Sequence, residues 1–257
     1  FYAMAKQYAI IHVQKHSSTG GSLGNHIERT EGMKHTYPHA NPEMKKFNVS
    51  YDRGYKGVSL GTAVSQRIEK GHTGEKAIRK DAVKFLSLIL SGTNEQTWEI
   101  QKKSSGLFLE WQRANIKFLE DEYGKENIVK LELHRDEKTP HFHAIVVPLT
   151  KDGRLSAKEV VGDRKKLKSF QDRYAAAMKP FGLERGEEES KNTHITTKEF
   201  YQELEKTRKE IQNLDLTKVN LIPPAHKTEM IKRYAKTAKL DLNLEGLKEQ
   251  KNKGFKR

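Results

Sequence analysis

The chain has no cysteine among its 257 residues, and it has no long apolar segment. Without cysteine there can be no disulfide bond, no thiolate metal ligand and no cysteine nucleophile. The longest apolar run, residues 85–90, has the length of a strand and is far too short to cross a membrane. The first residues also lack the apolar core of a signal peptide. We therefore expect a soluble, cytoplasmic protein with no segment inserted in a membrane.

Positive charge, in contrast, is present in excess. The chain has 48 Lys and Arg against 34 Asp and Glu, which gives a formal net charge of +14. Solubility alone needs a much smaller imbalance. Such a surface would bind the phosphate backbone of nucleic acid more tightly, although these charges would not distinguish one base sequence from another. We therefore predict that the partner is nucleic acid.

Residues 134–143 (HRDEKTPHFH) place three histidines and two carboxylates within ten positions. Apolar and polar residues alternate on both sides, and turn-forming residues lie between, so the pattern predicts two antiparallel strands. Alternate residues of a strand share a face, which puts His141 and His143 together and His134 beside them. The sequence therefore predicts three imidazoles that converge on one accessible face of a sheet.

Three imidazoles without a cysteine suit a catalytic metal site, which leaves coordination positions free, better than a closed structural zinc site. The ligand type does not identify the metal, because imidazole binds several divalent ions. We expect Glu137 either to bind the metal or to hold a catalytic imidazole in one tautomer. Asp136, taken alone, is equally consistent with a solvated turn residue.

The residues of the hairpin do not by themselves identify the nucleophile. A metal on a basic sheet face can polarise a phosphodiester, and metal-bound water would then make the chain a nuclease. A histidine or tyrosine nucleophile would make it a covalent strand transferase. A non-catalytic DNA-binding protein that holds a structural metal is a third class.

The order of predicted elements indicates an α+β fold: a mainly antiparallel sheet with helices packed on one face and an open metal- and DNA-binding face. Periodicity predicts strands at residues 8–13 and 79–90, a loop at 17–24, and helices at 63–70, 94–123, 164–179 and 196–214. Two prolines interrupt the chain after residue 222, and residues 227–257 hold ten Lys and Arg against four Asp and Glu. We therefore expect two parts: a main domain at 1–214 and a basic helical appendage or linker at 215–257.

Several ordered segments resemble the motifs of the MobV (Mob/Pre) family of plasmid-mobilisation relaxases, which are HUH endonucleases. The first is GNHIER, which contains His26 and Arg29, and the main one is the histidine hairpin. Residues 77–83, 153–158 and 183–186 match further landmarks in the same order. The resemblance covers about residues 5–210 and not the segment after 214.

The resemblance implies an HUH relaxase-like fold and a site- and strand-specific DNA nicking and joining enzyme that acts at the transfer origin (oriT) of a mobilizable plasmid. It implies Mn²⁺ or Mg²⁺ held by His134, His141 and His143, and a DNA partner made of a hairpin plus single strand around the nick site. It also allows a homodimer of the full-length protein.

The resemblance also assigns the nucleophile. His26 would attack the scissile phosphate and leave a covalent 5′-phosphoryl-histidine and a free 3′-OH. Arg29, three residues on, is expected to clamp that phosphate with its guanidinium, and Glu137 completes the expected catalytic set. The alternative enzyme is a rolling-circle replication initiator or transposase with a tyrosine nucleophile.

The sequence departs from the family at two positions. Ile27 replaces the usual Asn of the first motif, so any hydrogen bond from that Asn is absent. Val49 stands where the family often has a tyrosine, which weakens a tyrosine nucleophile there, although Tyr37 and Tyr51 are near in sequence.

We expect DNA contacts from five further residues. Tyr123 matches a family tyrosine associated with DNA contact, and the other four are basic residues suited to bind phosphate. The ordinary alternative is a packing role at a helix end for Tyr123 and a solvated surface charge for each of the others. The five are Arg79, Lys80, Tyr123, Arg154 and Lys158.

Overall fold

The computed structural model describes residues 6–18, 20–75 and 77–186, and every structural statement below refers to these residues. Five strands form one sheet: β1 Ala9–His16, β2 Val49–Ser50, β3 Phe85–Gly92, β4 Ile128–His134 and β5 His141–Val146. Their order is β1-β3-β5-β4-β2, and each neighbouring pair is antiparallel. The histidine hairpin thus supplies the central strand of the sheet and one of its neighbours.

Six α-helices accompany the sheet: α1 Gly21–Glu28, α2 Leu60–Gly71, α3 Asn94–Lys103, α4 Ser105–Tyr123, α5 Ala157–Val161 and α6 Arg164–Met178. Short 3₁₀ turns lie at Lys34–Thr36, Lys45–Phe47, Lys125–Asn127 and Lys179–Phe181. Within the described part of the chain, none of the helices has the length and hydropathy needed to span a membrane.

The larger apolar core lies between one face of the sheet and helices α3, α4 and α6. Leu88 and Leu90 of β3 alternate onto this face and are completely buried. Trp111 of α4 packs above them and contacts Phe142 of β5, with ring centroids 5.5 Å apart. This core fixes the strands whose opposite face carries the histidines.

The second face of the sheet is partly covered by α1 and α2. Ile27 and Leu60, one from each helix, are buried there with Ile145 of β5. Gly24 permits this close packing, because a Cβ at that position would lie 3.0 Å from Leu60 Cβ. The α+β class is as predicted, while the histidine face is open only beside the two covering helices, where Ile89 is 37% exposed.

The helix predicted over residues 94–123 is in fact two helices, α3 and α4. Ser104 between them is extended, with φ −163° and ψ 152°, and its hydroxyl accepts a hydrogen bond from the Leu107 amide at 2.9 Å. This side-chain cap satisfies an amide at the start of α4, as serine does at helix starts. Periodicity alone could not reveal the break, since both helices bury apolar residues in the same core.

Two other predictions differ from the structure, and the elements α1, β2 and α5 were not predicted. The strand expected from residue 79 begins at Phe85, because residues 79–82 form a turn closed by the Ala82 amide and the Arg79 carbonyl at 3.0 Å. A loop was expected over residues 17–24, but α1 begins at Gly21 within this range. The strand β2 and the helix α5 were not predicted, and both are very short.

The helix predicted at residues 196–214, the boundary at 214 and the basic segment at 215–257 lie outside the described residues. These parts of the domain scheme stay predictions.

Candidate metal centre

The hairpin and α1 bring four histidines together. β4 and β5 pair His134 with His141 and Glu132 with His143, so the three hairpin imidazoles lie on the same face. The ring centroids of His134 and His143 are 4.7 Å apart, and those of His141 and His143 are 4.8 Å apart. α1 adds His26, whose centroid is 5.0 Å from that of His143. The structure therefore joins the predicted nucleophile and the predicted ligands in a single cluster.

Three backbone carbonyls determine which nitrogen of these imidazoles carries a proton. His26 Nδ1 is 2.8 Å from the Thr36 carbonyl, and His141 Nδ1 is 2.7 Å from that of Thr139. His134 instead places Nε2 2.8 Å from the Ile27 carbonyl. A carbonyl can only accept, so each contacting nitrogen must donate, and the other nitrogen of each neutral ring keeps its lone pair.

The resulting lone pairs point into the cluster and fit a cation. His143 Nε2 lies 3.0 Å from His141 Nε2 and 3.3 Å from His26 Nε2, although both of those nitrogens are acceptors. His134 Nδ1 is buried with no hydrogen-bond partner among the described residues. An unpaired buried acceptor is costly, and a metal ion would satisfy it.

Two overlapping groups can hold such an ion. One consists of His26, His134 and His143, and the other of His134, Glu137 and His141; within each group the ligand atoms lie within 4.8 Å of one another. Burial lowers the pKa of the three hairpin histidines, and neighbouring imidazoles lower those of His134 and His143 further. The rings therefore stay neutral at physiological pH, as metal ligands must.

The structure places Arg29 in contact with several groups of the protein. Its guanidinium is 3% exposed and makes a two-point contact with Asp136, with both N···O distances 2.8 Å. A third contact reaches Glu137 Oε1 at 2.6 Å, and a fourth reaches the His26 carbonyl at 2.7 Å. These contacts use four of the five guanidinium N–H donors, and we infer that Arg29 mainly ties α1 to the hairpin turn.

The backbone of Arg29 reinforces that conclusion. It is the only non-glycine residue of the described chain with a positive φ, at 51°, and it ends α1 three residues after His26. A left-handed residue with a side chain costs of order 1 kcal/mol, and such a conformation persists only where the surroundings impose it. Here the contacts to Asp136 and Glu137 impose it.

Asp136 is a buried partner in the cluster and not a solvated turn residue. It is 2% exposed. Burial opposes its ionisation, but hydrogen bonds from Arg29 and Asn48 and the charge of Arg29 outweigh burial and lower its pKa. Glu137 is more accessible, and its Oε1 lies 3.8 Å from His26 Nε2. The Arg29–Glu137 contact thus holds a carboxylate beside the predicted nucleophile.

Helix α3 supports the turn between the two strands. Asn94, Trp98 and Gln101 follow one another at intervals of four and three residues, so they share a face of the helix. Asn94 accepts from the Thr139 hydroxyl at 2.9 Å, and Trp98 Nε1 donates to the Lys138 carbonyl at 2.9 Å. Gln101 accepts from Arg135 Nε at 3.0 Å.

Neither nearby tyrosine has its hydroxyl directed at the cluster. Tyr37 donates to the Thr30 carbonyl at 2.7 Å while its ring lies 5.2 Å from Arg29 Cζ. Tyr51 donates to Gln112 at 2.5 Å, on the side of the larger core. These contacts count against both tyrosines as the nucleophile.

The five residues predicted to contact DNA lie away from the cluster. They lie before the start of β3 or β4 or after the end of β5, and these strand ends are opposite the histidines. β4 alone is about 20 Å long, so the two ends of the sheet are well separated. Arg79, Lys80 and Lys158 are exposed. Arg154 contacts Asp152 at 2.6 Å and Glu159 at 2.9 Å, and Tyr123 packs edge-on against Phe170.

The residues that sequence reasoning missed act mainly through the backbone. The carbonyls of Ile27, Thr36 and Thr139 carry no side-chain signal, so no residue pattern could have indicated them. The sequence could have indicated the polar face of α3, because Asn94, Trp98 and Gln101 are spaced as residues on one face of a helix are.

A histidine–apolar–histidine sequence on the central strand of an antiparallel sheet, with a third histidine on the neighbouring strand, defines an HUH-type fold. The family model described as plasmid recombination enzyme (Mob_Pre) matches residues 5–202, and the chain belongs to this family. The resemblance inferred from the motifs is thereby confirmed.

The similar proteins agree with this assignment. The chain is 36% identical over 185 residues to plasmid recombination enzyme type 3 of Staphylococcus aureus, covering 70% of this chain and 43% of that protein. It is 31% identical over 249 residues to the type 2 enzyme of S. aureus strain Mu50, covering 95% and 56%. The chain thus spans about half the length of the curated relatives it matches.

A solved structure with the same architecture is the MobM relaxase domain (MOBV; Mob_Pre) bound to plasmid pMV158 oriT DNA, a Mn-bound crystal structure. It aligns with a TM-score of 0.67 and 28% identity, covering 76% of this chain and 98% of that chain. A second Mn-bound crystal structure of the same domain, with 22-nucleotide oriT DNA, gives the same TM-score.

Proposed function

We propose that this chain is a metal-dependent relaxase: it nicks one DNA strand at a transfer origin and rejoins it through a covalent intermediate on His26. Membership of the plasmid recombination family and similarity to MobM bound to oriT DNA support the reaction class. The observation that carries the choice of nucleophile is the orientation of His26, whose Nε2 lone pair points into the metal-binding cluster.

Exposure separates His26 from two of the proposed ligands, His134 and His143, whereas His141 is partly exposed as His26 is. The His26 side chain is 25% exposed, whereas residues His134 and His143 are 1% and 5% exposed. A DNA phosphate can therefore approach His26 more easily than the buried rings. We assign His134, His141 and His143 as ligands and leave His26 to attack.

The covalent step follows from the protonation of His26. Its Nε2 attacks phosphorus and forms a P–N bond, the P–O3′ bond breaks, and the 3′ oxygen leaves and takes a proton from water. Nδ1–H keeps its hydrogen bond to the Thr36 carbonyl, so the ring becomes positively charged. Glu137, 3.8 Å away, offsets that charge. Attack by a 3′-OH reverses the step and rejoins the strand.

The hairpin histidines would hold a divalent ion, and Mn²⁺ is favoured because the similar MobM structures are Mn-bound. When bound, the ion supplies charge that stabilises the phosphate oxygens in the transition state. Arg29 and the α3 face keep the turn that joins the ligands in place. We propose residues 1–214 as the nicking domain.

The test uses a single-stranded oligonucleotide that spans the transfer origin of the element encoding the chain, incubated with Mn²⁺. We expect a covalent protein–DNA adduct that is labile in acid and stable in alkali. His26→Ala should abolish it, with nicking at least ~10⁴-fold slower. His35→Ala, which removes an exposed histidine nearby in sequence, should behave like the wild type.

Two results would reject parts of the proposal. An adduct that forms in His26→Ala, or one that survives acid as phosphotyrosine does, would eliminate the histidine nucleophile. Cleavage that persists after chelation would eliminate the metal dependence.

A further inference from the structure

Trp98 is a partly exposed tryptophan beside the metal centre with no role in either apolar core. It lies on α3 and belongs to neither hydrophobic cluster of the described residues. It also stacks on no aromatic ring in that part of the chain, whereas Trp111, the other tryptophan, is completely buried and contacts Phe108 and Phe142. A large indole that is only partly buried and lies outside both clusters leaves part of its ring surface available to a ligand.

The indole is nevertheless held in a fixed orientation. Its Nε1 donates to the Lys138 carbonyl at 2.9 Å, and neighbouring contacts of Asn94 and Gln101 fix the same turn against α3. A ring that is already oriented loses little freedom when a second ring stacks on it. Trp98 is thus pre-organised for stacking.

Its position relates it to the reaction. Lys138 follows Glu137 directly and precedes His141 by three residues, so it lies at most about 11 Å from that ligand along the chain. The Lys138 side chain is exposed, as are Lys102 and Lys103 in the last turn of α3. These cations can contact phosphates of a strand whose base lies on Trp98.

We propose that Trp98 is a stacking platform for an unpaired base next to the scissile phosphate, with Lys138 contacting the backbone of that strand. The inference rests on the proposed function, because only a nicking enzyme that binds single-stranded DNA brings such a base to this place. Aromatic side chains with an accessible face bind single-stranded bases in this way without strict base preference.

The experiment uses the full chain with Mg²⁺ and an oligonucleotide that ends at the nick site, so that binding occurs without cleavage. Tryptophan fluorescence should be quenched on titration, and the quenching should vanish in Trp98→Phe, which leaves only buried Trp111. Trp98→Leu should weaken binding about tenfold, as expected for one lost stack, while Trp98→Phe loses much less. Leu109→Ala, which removes a 44% exposed apolar side chain from α4, is the matched control and should not alter affinity.

Three results would overturn the inference. The first is a DNA affinity that is unchanged in Trp98→Leu. The second is a wild type that binds DNA without any quenching of its tryptophan fluorescence. The third is an equal loss of DNA affinity in the Phe and Leu variants, accompanied by weaker metal binding in both. The last would make Trp98 only a clamp for the turn. The adduct assay with the wild type and Mn²⁺ is a separate measurement: a wild type that forms no adduct would count against the proposed function and not against Trp98.

Discussion

The two ends of the sheet use charge in opposite ways. At the histidine end, Arg29 and Asp136 are 3% and 2% exposed and fix the geometry of the cluster. At the other end, Arg154 pairs with Asp152 and Glu159 in solvent, where ion pairs contribute little. The charges that hold the histidine cluster are buried and make several hydrogen bonds, whereas the charges at the other end of the sheet lie exposed at the surface.

The largest expected effect is the loss of stability when an arginine is removed from the histidine end of the sheet, compared with the same change at the other end. Arg29→Ala leaves Asp136 as an uncompensated buried charge, and breaking such a pair costs ~3–5 kcal/mol of unfolding free energy. Urea denaturation monitored by circular dichroism measures this cost. Arg154→Ala is the control and should leave the denaturation midpoint unchanged, since its partners are solvated. Equal midpoints for both variants would remove the distinction between the ends.

The next largest effect is expected from metal binding, which should depend on residues at the histidine end and not on residues at the other end. An ion that binds only the folded histidine cluster stabilises the protein by about 2.7 kcal/mol at a hundredfold excess over Kd. Thermal unfolding with and without Mn²⁺ tests this, and EDTA should reverse the gain. His134→Ala should abolish the response, while Lys158→Ala, at the opposite end, should retain it. A gain that survives in His134→Ala would locate the ion elsewhere.

The pH dependence of the metal-free protein gives a further test. The pKa values of the hairpin histidines are lowered in the folded state, so below pH 6.5 the unfolded chain binds more protons than the folded one. Stability should therefore fall as the pH decreases, by about 1.4 kcal/mol per pH unit for each histidine that stays neutral. Urea midpoints between pH 7 and 5 measure the slope. A flat profile would mean that the rings are not buried as neutral groups.

The smallest effect concerns the end of the sheet away from the cluster. Lys80 is exposed, so if it contacts a phosphate, Lys80→Ala should reduce the slope of log affinity against log salt by about 0.9. Arg154→Ala should change the slope less, because its guanidinium already faces two carboxylates. Fluorescence anisotropy over a salt series measures both. If the two variants match the wild type, DNA does not reach this end.

The sequence was sufficient to predict the hairpin and the fold class, because alternation and turn residues are local signals. It also indicated His26, but only through resemblance to family motifs. It could not predict that Arg29 faces Asp136, since residues 107 positions apart meet only after the sheet and α1 have packed. Nor could it distinguish one helix from two at Ser104, where a single capping hydroxyl interrupts an otherwise continuous apolar pattern.

One feature of the cluster bears on how this site tolerates sequence drift. Ile27 replaces the asparagine usual in the family's first motif, yet its carbonyl binds His134 and its side chain fills the smaller core. Thr36 and Thr139 likewise serve the cluster through their carbonyls. Every amino acid supplies a carbonyl, so these positions can change identity over evolutionary time while the imidazoles keep their protonation. Relatives that look divergent at these positions can therefore retain the same chemistry.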